Sequence, residues 1–417
     1  MPSTTPSPPP AATGTEPVPP LRRNRDFRLM WTGAGASLFG TRVAATAYPL
    51  LMLWSGGSPA QAGLVGFAAL LPQLLLLLPA GVLVDRWDRR RVMLGCDLVG
   101  LVSMASLVVA LAGGRLWVHH VMAAAFLEGA AVILYRLAER AAVRHVVHPS
   151  HLSAALAQNE ARGRAAGLLG QPLGSVLFTA FRWLPFGVAA LTHLVALLTL
   201  SAIRKDFQDT DRPAPRALRT EIAEGVAWVW RQRFMRAAIL LVGGSNLAFQ
   251  VLALALVLII KEGGYEPYMV GVLGLLGGAG GVLGAMTAPW FMRRFPIQEI
   301  LVLAMALWAA LMCAVGFVGH PVALGALGAG TSAAGALLNV AAGVHQVQVT
   351  PDALQGRVSS VFTLVGSGLN SLGALLGGAL LAAFGTRTTV LGVSIGMTVL
   401  TAVALSAPVI KRPPEQP

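Results

Sequence analysis

"LLLLLPAGVLVDRWDRRR", residues 74–91, changes character in one step. An apolar run stops, and Asp85, Arg86, Asp88, Arg89, Arg90 and Arg91 follow with only Trp87 among them. What that cluster means depends on what the apolar runs are for. The chain is 55% hydrophobic and 12% charged, about half the charge fraction of soluble globular domains. Its mean hydropathy is +0.68. Apolar runs of about 20 residues recur along nearly the whole length, which is what a helix needs to cross a bilayer. The pattern predicts an all-α polytopic membrane protein.

Twelve spans are expected, from 29–53 at one end to 388–409 at the other. The net charge of +13 lies between them. One alternate set of loops holds Arg22, Arg23, Arg86, Arg89, Arg140, Arg144, Arg216, Arg293 and Arg412 among others. The other set holds little beyond Arg115, Arg182, Lys261 and Arg387. Nucleic acid gives no reason for this alternation, whereas bilayer topology does. Both termini are therefore expected in the cytoplasm, with the chain multi-pass in a cell membrane. The expected organisation is a disordered tail (1–24), a six-helix bundle (25–203), a linker with an amphipathic helix (204–235), a second six-helix bundle (236–410) and a short tail (411–417). In the linker, Ile222, Val226, Val229 and Trp230 fall at helical spacing, to lie on the membrane surface or against the loops. No removable signal peptide is expected. Cys96 and Cys313 make no disulfide framework. His145, His148 and His151 are spaced three apart, but Pro149 interrupts the helix that would align them. No metal and no cofactor are expected.

The halves resemble each other. Gly81 opens "GVLVDRWDRRR" and Gly284 opens "GAMTAPWFMRR". Pro149 and Pro351 stand at matching places, about 202 residues apart, as in two parallel six-span repeats. On these residues the chain resembles the major facilitator superfamily. Gly81, Asp85, Arg86, Arg89 and Arg90 match its signature loop after the second helix. "SPAQAGLVG" (58–66), "FLEGA" (126–130), "LRTEIAEGVAWVWR" (218–231) and "LQGRVSSVF" (354–362) are similar to the bacterial macrolide-efflux and enterobactin-exporter branch. That resemblance implies two six-helix bundles and proton-driven export. "GLLGQPLGS" (167–175) resembles the antiporter motif of drug exporters through Gly167, Gly170, Pro172 and Gly174, with Gln171 inserted and Ser175 in place of a glycine.

Specific side chains follow. Asp85 is expected to accept bonds from the helix N-terminus near Arg357, as part of a reversible gate. Arg89 and Asp97 are expected to pair. Arg42 and Glu128 fall near the middle of spans, where a charge costs about 2.5–3.5 kcal/mol unless it has a cavity or a partner. They are expected to face a central cavity and to pair, with Glu128 as a proton carrier or as half of a static ion pair. A cationic or polar substrate competing with the proton would give antiport. Asn246, Gln250, Asn339, His345 and Gln346 are candidates to line the cavity. His193 reads as a packed neutral histidine, Tyr48 as an interface anchor, and Arg136 as an anchor that snorkels.

The expected function is secondary, proton-coupled efflux of amphipathic small molecules, of antibiotic or siderophore type, by alternating access. An importer or uniporter of the same fold is the alternative. A membrane-embedded enzyme is disfavoured, because no nucleophile–base pair or carboxylate cluster at one depth is apparent.

Overall fold

The computed structural model describes residues 20–203, 205, 207 and 218–407, without the side chains at 78, 82, 85, 218–222, 225 and 353. Most of the expected tail 1–24, all of the expected tail 411–417, and linker residues 204, 206 and 208–217 lie outside the described residues.

Thirteen α-helices occur among the described residues. They are α1 (Arg25–Trp54), α2 (Pro59–Arg86), α3 (Arg89–Ala112), α4 (Val118–Val146), α5 (Leu152–Ala180), α6 (Leu184–Ser201), α7 (Leu218–Arg231), α8 (Arg233–Glu262), α9 (Tyr268–Met292), α10 (Ile297–Val315), α11 (Pro321–Val349), α12 (Gln355–Phe384) and α13 (Thr386–Ser406). Ten of them are long and apolar enough to cross a membrane on length and composition alone. Of the remaining three, α7 is short. The other two, α1 and α5, run 30 and 29 residues, so length is not their shortfall. Their polar side chains are, and those side chains line a cavity.

Local signals set the helix starts. Ser58 and Gln61 form a capping box at the start of α2, with Pro59 in its first turn. Each satisfies a backbone N–H that a helix start leaves unpaired. Asp88 caps α3 by accepting from Arg91 N at 2.9 Å. Asn24 accepts from Phe27 N to cap α1, and its Nδ2 donates to Val146 O at the end of α4 at 2.9 Å. The α12–α13 turn is a single residue, Gly385, at φ 74°, a conformation that favours glycine.

The packing repeats between halves. In the first, α1 packs on α5 and α6, α2 on α4, and α3 on α4 and α6. In the second, α8 packs on α12 and α13, α9 on α11, and α10 on α11 and α13. The halves meet along α2–α12 and α5–α9. Small residues bring the backbones together at both seams, as membrane helices require in the absence of a hydrophobic driving force. Gly63 lies against Gly378 and Ala374, and Gly271 lies against Pro172 and Ser175. These approaches fall toward the ends of the helices remote from the arginine-rich loops. On the arginine-rich side, α4, α5 and α11 present exposed residues such as Arg140, Leu156 and Val347. The halves therefore meet backbone to backbone at the end remote from the arginine-rich loops.

The α7 helix packs on the helices α12 and α8, whereas the expected positions were the membrane surface or the loops. Val229 is buried with Met235, Ile239, Val358 and Val361, while Trp230 and Val226 stay exposed. Ile222 lies outside the described side chains.

The seam predicts a contrast in sign. Gly→Ala normally stabilises a helix interior by about 0.5–1 kcal/mol. Gly95→Ala, with open space around it, should hold or raise the thermal midpoint of purified protein. Gly378→Ala places a methyl on the Gly63 and Pro59 backbone and should lower it, since overpacking costs about 1–3 kcal/mol.

Candidate functional site

The charged cluster at 85–91 is largely accounted for by helix ends. Arg90 donates to Leu200 O and Ser201 O, the second at 2.8 Å. It thereby caps the last turn of α6, where free carbonyls and the helix dipole favour a cation. Arg89 is buried, donates to Phe207 O at 3.0 Å, and meets His145 Nε2 at 2.9 Å. It does not pair with Asp97. Asp97 sits eight residues further along α3, about 12 Å along the axis, and its partners lie elsewhere. Gly81 has open space where a Cβ would stand. The Asp85 side chain lies outside the described residues. Arg357 pairs with Glu224 of α7.

A cavity of about 500 Å³ opens toward the arginine-rich face between α1, α4 and α5. Its wall includes Ser37, Thr41 and Arg42 on α1, Tyr135, Arg136, Glu139 and Arg140 on α4, and Asn159, Glu160, Arg162 and Arg164 on α5, with Leu38, Val132 and Leu156 as apolar lining. Both carboxylates in this wall are spoken for. Glu139 pairs with Arg162 at 2.5 Å, both buried, and Glu160 pairs with Arg164 at 2.9 Å. Arg162 also donates to Trp31 O at 3.0 Å, which ties α5 to α1. Arg42, Arg136 and Arg140 have no acidic partner among the described residues. Arg136 is thus a cavity residue, one helical turn from Arg140, rather than a lipid-facing anchor.

Arg42 and Glu128 do not pair. Thr41 and Arg42 are successive residues, so their side chains point about 100° apart around α1. Thr41 turns toward α4 and donates to Glu128 Oε1 at 2.5 Å. Arg42 turns toward α5, where Gly170 leaves room for it. Gly174 likewise admits the Val43 carbonyl and Thr46, while Gly167 makes no close approach. Pro172 and Ser175 then carry the other side of α5 onto Gly271 of α9. The "GLLGQPLGS" stretch is the junction of α1, α5 and α9.

Behind the cavity wall is a chain of polar groups that sequence reasoning missed. His193 of α6 is 2% exposed and bridges two carboxylates. Its Nδ1 lies 3.0 Å from Asp97 Oδ1 and its Nε2 lies 3.0 Å from Glu128 Oε1. Ser37 donates to Asp97 Oδ1 at 2.7 Å. Asp97 is fully buried and Glu128 is 3% exposed, so neither acid faces the cavity directly. Gly100 of α3 lies against the imidazole. His193 stood alone in an apolar run, and the only available signal was that α3, α4 and α6 each carry one ionisable residue near one depth.

The proposed lining of the second half lies elsewhere. Asn246 donates to Gly366 O at 2.9 Å and ties α8 to α12. Gln250 packs on Gly373. His345 meets Phe234 edge to face at 5.2 Å. Asn339 and Gln346 do not line the cavity. Tyr48 is buried against Phe186, ring centroids 5.6 Å apart, and is not an interface anchor.

The Glu139–Arg162 pair makes a testable stability claim. Glu139→Gln leaves a buried guanidinium without its counter-charge and should destabilise the purified protein by about 3–5 kcal/mol. The double change Glu139→Leu with Arg162→Leu should cost less than the single one in thermal or denaturant unfolding.

Comparison with known proteins agrees with this architecture. Residues 15–414 match the model of a family described as transmembrane secretion effector. A multidrug efflux pump, Tap, of Mycobacterium tuberculosis is 26% identical over 393 residues, covering 89% of this chain and 91% of that protein. Tap of Mycolicibacterium fortuitum is 27% identical over 411 residues, covering 92% and 94%. The fold resembles the crystal structure of the nucleoside transporter NupG, with TM-score 0.74, 13% identity, and 94% and 100% of the two chains covered. It also resembles a bacterial homologue of the human lysosomal transporter Spinster, solved inward-facing and unoccupied, with TM-score 0.70, 14% identity, and 94% and 97% covered. The chain belongs to the transmembrane secretion effector family, and it is a multi-pass membrane transporter with the major facilitator fold, not an enzyme.

Proposed function

We propose that this transporter exports amphipathic small molecules from the cytoplasm in exchange for protons. The observation that carries the reading is the cavity between α1, α4 and α5, open on the arginine-rich face while the α2–α12 and α5–α9 seams close the other. Asymmetric arginine marks the cytoplasmic side. On that reading the cavity mouth and both termini lie inside the cell, and the likeness to bacterial efflux pumps supports a bacterial cytoplasmic membrane. The likeness to proteins named multidrug efflux pumps supports export over import.

Rocking the bundles about the two glycine seams carries the cavity from one face to the other. The lining selects the cargo class. Leu38, Val132 and Leu156 offer apolar surface, and Arg42, Arg136 and Arg140 offer hydrogen-bond donors without acidic partners. An apolar body bearing hydrogen-bond acceptors fits, and these guanidiniums disfavour a cation. Of the cationic or polar competitor the sequence suggested, this lining favours the polar one.

Protons supply the work. One pH unit across the membrane is worth about 1.4 kcal/mol, a tenfold concentration ratio. Glu128 is a buried acid behind the cavity wall with no guanidinium bonded to it among the described residues, and Thr41 connects it to the lining. Everted vesicles loaded with a pH gradient test the reading. Addition of an acceptor-rich amphipathic compound from a panel should dissipate the gradient. Glu128→Gln should cut that compound-dependent proton flux by about a hundredfold or more, the low end of the loss of a working proton-transfer group. Full flux in that variant, or none with any compound in the wild type, contradicts proton exchange through Glu128.

A further inference from the structure

We infer that the coupling proton is held and moved by three residues together, Asp97, His193 and Glu128, with Ser37 and Thr41 as its two doors to the cavity. The inference rests on the proton-exchange reading above and names the groups that carry it out.

Both nitrogens of His193 face carboxylate oxygens, each at 3.0 Å. A neutral imidazole has one N–H and one lone pair. With two ionised carboxylates, one of those contacts would set lone pair against lone pair. The geometry therefore calls for at least one further proton, placed on the imidazole or on the facing carboxyl. With that proton the trio carries one net negative charge, and with a second it is neutral. Without either it would bring two negative charges into a buried site, where charge is costly unless compensated. Two states remain, and they differ by one exchangeable proton. Asp97 Oδ2 and Glu128 Oε2 are buried and accept no hydrogen bond, so either can take it.

The doors give the chain a direction. Ser37 and Thr41 both line the cavity. Ser37 donates to Asp97 and Thr41 donates to Glu128. They stand four residues apart on α1, with Thr41 about 6 Å deeper from the arginine-rich face. A proton received at Glu128 from the deep side passes to His193 Nε2. The proton on Nδ1 then passes to Asp97, whose door lies nearer the arginine-rich side. Each transfer breaks one N–H or O–H bond and forms one, and imidazole is restored once its proton has moved between nitrogens or its ring has turned. Gly100 leaves the space that the ring occupies.

Among the described residues, the other titratable groups that reach these three are the Cys96 thiol on α3 and the Tyr48 and Tyr135 phenols on α1 and α4. Tyr48 is turned to Met104 Sδ at 4.0 Å. No guanidinium bonds Asp97 or Glu128 among the described residues, so no fixed cation neutralises the chain in place of a proton.

Infrared difference spectroscopy of the full-length protein in nanodiscs, titrated with pH alone, tests the chain without any transported compound. A protonated-carboxyl band should titrate together with histidine ring bands at one shared midpoint, as coupled groups do. Asp97→Asn and Glu128→Gln should each alter that band. His193→Gln should move the midpoint by about one pH unit or more, since it removes a shared hydrogen-bond partner. Thr41→Val should move it too and Thr41→Ser restore it, a comparison that deletes no buried charge. A carboxyl midpoint that ignores His193→Gln, or a band that responds to Glu128→Gln alone, overturns the chain and leaves Glu128 acting singly. A protein that titrates as described yet shows no compound-dependent proton flux would instead overturn the exchange reading.

Discussion

His193 faces two acceptors, and a neutral imidazole has one proton to give. That constraint sits where α1, α3, α4 and α6 meet, and it organises the first bundle around itself. Ser37 and Thr41 reach it from α1, Asp97 from α3, Glu128 from α4, and Gly100 yields the space for the ring. A buried polar network is favourable only when its members are satisfied, and a partly satisfied one is costly. The two bare carboxylate oxygens therefore mark where a proton is wanted, and the Ser37 and Thr41 hydroxyls link the other oxygen of each carboxylate to the cavity wall.

The same economy of space governs the rest of the fold. Lipid offers no hydrophobic drive for helix association, so shape complementarity and small residues hold the bundles. Gly170 and Gly174 seat α5 on α1, Gly271 seats α9 on α5, and Gly63 with Gly378 closes α2 on α12. The seams between halves thus place backbone against backbone and use few ion pairs. Side chains such as Gln171, Leu168 and Leu74 also seat against glycines of the facing helix. The arginines of the signature cluster contribute differently: Arg90 closes the end of α6 and Arg89 anchors α3 to His145 and the chain after α6.

Much of this was legible in the sequence. Apolar run length and arginine asymmetry predicted the twelve spans, because bilayer thickness and topology act on every residue of a helix. The repeat at Gly81 and Gly284 anticipated the matching helix contacts of the two halves. Pairing of individual side chains was not legible. Thr41 and Arg42 are neighbours in sequence, yet a 100° turn sends one to Glu128 and the other into the cavity. Asp97 was assigned to Arg89 by proximity in sequence, although the helix carries it about 12 Å away. His193 looked like filler, since its two partners lie 96 and 65 residues distant. The candidates Asn246 and Gln250 were read as lining because they are polar, whereas they serve to join α8 to α12. Polarity in a membrane helix indicates a need for a partner without saying whether that partner is a neighbouring helix or a solute.

If the proton held by Asp97, His193 and Glu128 decides which face is open, the separation of the bundles must follow its titration. Spin labels at Ser150→Cys and Gln348→Cys, with Cys313→Ser, report the gap at the arginine-rich face by electron–electron distance measurement in nanodiscs. Two distance populations should exchange weight as pH changes, and the exchange should vanish in Asp97→Asn and in Glu128→Gln. A single distance that ignores pH, or a pH response that survives both substitutions, would contradict proton-controlled rocking.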